Sequence, residues 1–430
     1  MQRLLISFVS LAAFTTAVGA QPAPAPPPAD PPATPADQPP NAPAEPPAEA
    51  AATPPPAPPP APPAAEGPKK LSVGKESPGA TFTPGLLLQG WFVYDETNTV
   101  KNAAGDTVNL STSTFRIRRL EISASGDIIP GFVKYKFMFD PSRVRDTLNT
   151  VNAAGPTPGT TVPVRTPASA LSTLQDFYIT LQSEVVDFSI GQFKNTVSWE
   201  GYAPASKIIL PERSFLGNLL GGQRDIGIRL DKTFKMFSYS LNLFNGAGQN
   251  NFDNNNQKDI SARIEVYPIP GLTIAGSTYD SIGYRTRAGT KDRYEGDLRY
   301  ESGPFLFQSE FIRSSDVFAN GADAVTGQGF YGVLGYKFPK MGSGNWEGVL
   351  QPVVRFGMFD PNTDTNLDPS KVAASNFGGN DERTDIEVGF NYYLRSHEMK
   401  FQASYDRQQF DNSDLKPAVN EVIVAAQISF

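Results

Sequence analysis

From residue 84 to the last residue the chain repeats one pattern, short stretches of alternating apolar and polar residues separated by segments rich in Gly, Asn, Asp or Pro. Phe237, Tyr239, Leu241 and Leu243 alternate with Ser238, Ser240 and Asn242. Ile386, Val388, Phe390 and Tyr392 alternate with Glu387, Gly389 and Asn391. Successive side chains of a strand point to opposite faces, so period two with one apolar face predicts strands. About sixteen such segments are legible, the first over 84–95 and the last over 420–430. Their connections alternate in length. Turns near 127–131, 183–185, 268–271, 301–304 and 396–397 are short, whereas 141–173, 194–223, 245–256, 314–326 and 360–381 are long and polar. Short turns on one rim and long loops on the other predict an all-β, transmembrane antiparallel β-barrel.

A soluble sandwich, or a pair of eight-stranded barrels, would also alternate but would turn its apolar face inward. Aromatic residues argue against that. Trp91, Tyr94, Phe137, Phe139, Phe305, Phe307, Tyr336, Phe338, Tyr392 and Tyr393 gather at strand ends and read as girdles at the headgroup level.

The first 80 residues have a different texture. Arg3, an apolar run to Val18 and the small residues Gly19-Ala20 read as a signal peptide over 1–20. Residues 21–80 are read as a Pro/Ala-rich disordered tether in the periplasm, because proline fixes φ and lacks the N–H donor. The run 21–68 could reach about 150 Å at ~3.1 Å per residue. Residues 81–430 are left for the barrel. The chain has no cysteine, which removes disulfide and thiolate-metal frameworks, and its net charge of −7 comes without a basic block for nucleic acid.

One stretch has a family resemblance. Gly191-Gln192-Phe193-Lys194, Trp199-Glu200 and Ile209-Leu210-Pro211-Glu212-Arg213-Ser214 resemble the segment leading into the constriction loop of the phosphate-selective porin O/P family. Phe115-Arg116-Ile117-Arg118-Arg119 and Leu174-Gln175-Asp176-Phe177-Tyr178-Ile179 match as well. The closing Phe430 fits the terminal signal read by the barrel assembly machinery. The resemblance, covering about 84–430, implies a 16-stranded barrel, usually trimeric, in outer-membrane lipid and lipopolysaccharide. It also implies a loop folded into the pore and basic residues that attract phosphate or polyphosphate. The dense arginine ladder of the best-studied members has no counterpart here.

Parity supplies candidate pore residues, since a charge on the lipid face costs ~2–4 kcal/mol near the midplane. Arg116, Arg118, Lys134, Lys136, Arg229, Arg263, Arg293, Arg299 and Arg355 are read as inward. Consecutive Arg118 and Arg119 break the alternation, and a bulge would turn both to water. Glu265 with Arg263, and Glu295 with Arg293, read as neutralising pairs. Arg116, Arg118, Lys134 and Lys136 have little acid beside them; with Lys194, Lys207, Arg213 and Arg224 they form the candidate anion-binding funnel. Loop 194–223 carries Ile208-Ile209-Leu210, Phe215-Leu216 and Leu219-Leu220, too apolar for an exposed loop, so it is read as folding inward; packing outward at a trimer interface is the alternative.

His397 is the only histidine and reads as a solvated turn residue, leaving no triad or metal partner. Asp360, Asn362, Asp364, Asn366 and Asp368 imitate the start of a calcium loop, but Thr365 and Lys371 stand where glycine and glutamate are required. The function expected is therefore passive diffusion of small solutes, anions such as phosphate first, across the Gram-negative outer membrane, with no cofactor and no catalysis. A general or cation-preferring porin is the alternative. A barrel enzyme and an adhesion protein valued for its tether are the readings from other classes.

Overall fold

The structure is a computed structural model that describes residues 71–430 except 73–78, 98–99, 102–106, 109–110, 144–145, 152–161, 168–172, 254, 283–288, 318–322, 364–381 and 412–417. The stretch read as a signal peptide, most of that read as a tether and the calcium-like run beyond residue 363 lie outside the described residues.

Sixteen strands form one closed antiparallel sheet: β1 Thr81–Thr97, β2 Thr112–Ile129, β3 Val133–Phe139, β4 Leu174–Leu181, β5 Asp187–Lys194, β6 Arg224–Thr233, β7 Phe237–Phe244 and β8 Lys258–Val266. The second half is β9 Leu272–Ile282, β10 Lys291–Ser302, β11 Phe305–Asp316, β12 Val325–Tyr336, β13 Val349–Asp360, β14 Arg383–Arg395, β15 Met399–Phe410 and β16 Val419–Ser429. Each strand pairs with its sequence neighbour, and β16 closes on β1 from Leu87↔Ser429 to Thr97↔Val419. Phe430 exchanges two 3.0 Å backbone hydrogen bonds with Leu86 and extends that seam. Closure leaves no unpaired edge, which a bilayer requires. Strand connections alternate between a rim of turns and a rim of longer loops, and both ends of the barrel lie on the turn rim.

Leu71–Ser72 pairs with Phe82 and Thr81, so sheet pairing begins inside the stretch assigned to the tether. The physical reason is the gap in the proline run between Pro68 and Pro78, which restores N–H donors.

The alternation faces apolar side chains outward. On β16, Val424 and Ile428 are half exposed, whereas Ala425 and Gln427 are buried inside. On β14, Ile386, Val388 and Phe390 face out and Glu387 and Asn391 face in. Two girdle assignments are corrected. Trp91 and Tyr393 share the inward parity of Gln89 and Asn391 and are buried within the lumen. Tyr94, Phe305, Tyr336 and Phe338 do face outward near strand ends.

Candidate functional site

The segment 195–223, between β5 and β6, folds into the barrel. Its two ends are clipped together where Asn195 N–H donates to Gln223 O at 2.8 Å and Gly222 N–H to Val197 O at 3.1 Å. Two short helices form where serines can cap them: α1 Trp199–Tyr202, with Ser198 Oγ accepting from Gly201 N–H, and α2 Phe215–Leu219, with Ser214 Oγ accepting from Gly217 N–H. Glu200 links them by accepting Ser214 N–H at 2.7 Å.

One face of this loop is apolar. Ile209, Leu210, Leu216 and Leu220 are buried against Leu306, Ile312, Tyr331, Val333, Val353 and Phe359 of β11–β13. Burial of each such side chain contributes roughly 1.5–3 kcal/mol. The wall opposite the segment 205–209, which opens with a 3-10 turn over Ala205–Lys207, supplies donors for its carbonyls. Lys400 Nζ donates to Ile208 O at 2.9 Å, Gln402 Nε2 to Ile209 O at 2.8 Å and Gln427 Nε2 to Ser206 O at 3.1 Å. His397 Nδ1 donates to Ser206 O at 3.1 Å, and its ring stands edge-on to Tyr393. His397 is thus a brace for the loop rather than a solvated turn residue. Burial, aided by Lys400 and Lys207, pushes its imidazole down to about 4.

The other face of the loop is basic and looks at β2–β6. A cavity of about 360 Å³ lies there, lined by Arg119, Arg143, Lys194, Arg213 and Arg224, with Glu121 as the acidic side chain among the described residues. Arg224 Nε pairs with Asp176 at 2.7 Å and Arg143 Nε with Asp140 at 3.2 Å. Lys194 and Arg213 donate to main-chain oxygens instead. Lys194 Nζ reaches Gly201 O at 2.9 Å, and Arg213 reaches Glu200 O and Ala203 O, both at 2.7 Å. Burial and then Arg119 pull the Arg213 guanidinium down to about 10, which leaves it charged at neutral pH. A second cavity of about 190 Å³ adjoins the first and shares Glu121, Lys194 and Arg224 with it.

Of the eight residues read as a funnel, Lys194, Arg213 and Arg224 line the larger cavity. Arg118 lies beside it, bound to Glu212 with Nε at 2.7 Å from Oε2. Lys136 lines the smaller cavity and pairs with Asp176 at 3.3 Å, so Arg118 and Lys136 do have acid beside them. Arg116 packs over the Trp91 ring at 5.0 Å. Lys134 is exposed, one pleat nearer the turn rim than Lys136, and Lys207 is exposed at the deep end of the loop beside His397; neither lines the cavities. Arg116 and Lys134 part from the others by strand depth, which parity does not report, and Lys207 by its place on the loop.

Arg119 and Arg143 complete the cavity and were not among those eight. The signal for Arg119 was the broken alternation: the β1–β2 register steps from Gln89↔Arg119 to Gly90↔Ile117, leaving Arg118 as the extra residue of a bulge. Both arginines then meet Glu212. For Arg143 the only signal was its spacing of three from Asp140.

Charges on β8–β14 are arranged differently. Arg263 contacts Glu265, Glu295 and Asp297, Arg299 contacts Glu265 and Asp297, and Arg355 contacts Glu387 and Glu200. The expected Arg263–Glu265 pair is present. Glu295, however, pairs with Arg263, because the β8–β10 registers set Arg263, Ser277 and Glu295 in one row, and Arg293 pairs with Asp316, which lies diagonally across on β11.

Residues 94–286 match the family model described as phosphate-selective porin O and P, a span that contains the 191–214 motif and stops short of the strands after β9. No curated protein matches the chain. Among solved structures, the outer membrane channel DcaP of Acinetobacter baumannii aligns with 14% identity and a TM-score of 0.53, over 84% of this chain and 100% of that one. Salmonella typhi OmpF, solved in complex with daunomycin, aligns at 12% identity and TM-score 0.52 over 84% and 100%. The trimer form of Vibrio cholerae OmpT aligns at 12% identity and TM-score 0.50 over 82% and 100%. The fold is that of an outer-membrane porin.

Proposed function

We propose that this chain, an outer-membrane barrel that matches the phosphate-selective porin family over residues 94–286, passes small anions, phosphate among them, by diffusion. The observation that carries the reading is the cavity beside the inward loop. Five basic side chains line it against one acid, and two of the five, Lys194 and Arg213, are held by carbonyls rather than carboxylates. A positive cleft between low-dielectric walls concentrates anions, and selection in a pore follows the charge facing the lumen. The reaction needed is none: the solute moves down its gradient.

The test is the reversal potential of the purified protein in a planar bilayer under a KCl gradient, repeated with phosphate added. A chloride-selective potential, with current reduced by millimolar phosphate, is expected. A cation-selective potential overturns the reading.

Cation preference is the second reading, and one observation favours it. Glu387, Asp406, Glu421 and Asp95 stand directly opposite one another across β14, β15, β16 and β1, forming a row of carboxylates on the lumen side. We read the anionic path as dominant because the row lies toward the loop rim, whereas the basic cavity abuts the inward loop. A homotrimer is supported by the trimeric Vibrio cholerae OmpT neighbour. A periplasmic tether is supported by the start of β1 on the turn rim, the periplasmic side in such barrels. Phe430, at the seam, suits recognition by the barrel assembly machinery.

A further inference from the structure

The smaller cavity has a character that a path for inorganic ions does not require. Beside its charged groups, its wall includes the side chains of Tyr178, Tyr202, Phe193 and Met138. Phe193 is buried and meets Tyr178 edge-on, with ring centroids 5.8 Å apart at 83°. Behind it lie Val197 and Phe244, and Arg229 stacks on its ring at 4.1 Å. The aromatic wall is therefore held rigidly from three sides. Two of the cations at this level, Lys136 and Arg224, share the single carboxylate of Asp176. Lys194, directly opposite Arg224 in the β5–β6 pairing, and Arg213 on the loop have carbonyl partners instead.

We propose that the two adjoining cavities form one binding path for aromatic carboxylates, with the carboxylate on Lys194, Arg213 and Arg224 and the ring against Tyr178, Tyr202 and Phe193. This deepens the anion reading above and rests on it. Size agrees: an apolar cavity of roughly 150 Å³ holds a benzene ring, and this one is about 190 Å³. The chemistry agrees as well. A hydrated inorganic anion loses water beside the aromatic wall without recovering hydrogen bonds. A ring carboxylate keeps its polar end among cations and gains edge-to-face contact with fixed rings. Pockets with an apolar wall and a few convergent charged groups suit an organic anion with one charged end. Glu121, shared by both cavities, opposes a second negative charge at the waist, which favours a monocarboxylate over a dicarboxylate.

The experiment measures chloride current through the full chain in a planar bilayer while sodium benzoate or sodium acetate is titrated in. Benzoate is expected to halve the current at about a tenth of the acetate concentration, the equivalent of one good aromatic contact. Tyr202→Ala is expected to bring the two anions within about twofold, and Tyr202→Phe to keep them apart. Should Tyr202→Ala yield no channels, Tyr178→Leu takes its place with the same expectation. Equal block by benzoate and acetate in a chloride-selective wild-type channel overturns the aromatic path and leaves the anion reading standing. A separation unchanged by both alanine and leucine variants also overturns it. A cation-selective wild-type channel overturns both.

Discussion

Replacing Glu212 with glutamine tests whether charge holds the inward loop to the wall. The Glu212 carboxylate accepts from Arg118 Nε at 2.7 Å, from Arg119 Nη2 at 2.9 Å and from the Arg213 N–H at 3.0 Å. Burial by itself would raise this carboxyl. Arg119, Arg118 and the Arg213 N–H overcome that effect and hold it at about 2, from an ordinary 4.5. At 1.36 kcal/mol per pH unit the difference is worth roughly 3 kcal/mol to the docked loop. The side chain is 20% exposed and Arg119 only 4%, so solvent screens the interaction little. Because the folded value lies below the unfolded one, the stabilisation is whole above about pH 4.5 and is lost as pH falls through about 2. Glu212→Gln should therefore speed amide hydrogen exchange of residues 205–214 roughly a hundredfold at pH 7, as local opening becomes easier. The ratio of variant to wild type should shrink toward one by pH 2. The same variant should move the KCl reversal potential further toward chloride, since Arg118 and Arg119 lose their counter-charge. Equal exchange rates at pH 7, or a ratio that stays constant down to pH 2, would refute the reasoning.

Glu121→Gln removes the acid that lines both cavities and should shift the reversal potential toward chloride without changing loop exchange. Gly222 has φ of +61° and a Cβ there would strike the Gly201 carbonyl, so Gly222→Ala should unclip the loop while circular dichroism still reports the full strand content. His397 sits at about 4 when folded, below its ordinary 6.5, so protonation disfavours the docked loop increasingly as pH falls from 6.5 to 4. His397→Gln should flatten the pH dependence of loop exchange in that window. Lys400 is fully buried and donates to Ile208 O, so Lys400→Met should leave that carbonyl unpaired, at a cost of about 1–3 kcal/mol to the docked segment, read as faster exchange at 208–210.

Period-two alternation is a local property, so the chain by itself determined the strands, their number and their outward apolar face. Ile386, Val388 and Phe390 announced lipid wherever they sat, because only a pleat separates them from Glu387 and Gly389. The doubled arginine at Arg118 and Arg119 announced a bulge for the same reason. The apolar run of the loop at Ile208–Leu210 announced burial, but not against what. Only closure of the barrel decided that. It set Leu306, Ile312 and Val333 on the inner wall as a seat, and lined up Gln402, Gln427 and Lys400 to meet the loop's carbonyls. Partners of charges were likewise decided by register. Arg293 reaches Asp316 rather than Glu295 because the pairing of β10 with β11 sets Asp316 diagonally across from it, opposite Lys291. Depth along the pore was undecided too: Lys134 and Lys136 share a face and a charge, yet the pleat between them puts one in the smaller cavity and the other toward the rim. Alternation reports which face a residue occupies, whereas the height at which it stands and the groups it meets come from the strand registers and the closure of β16 on β1.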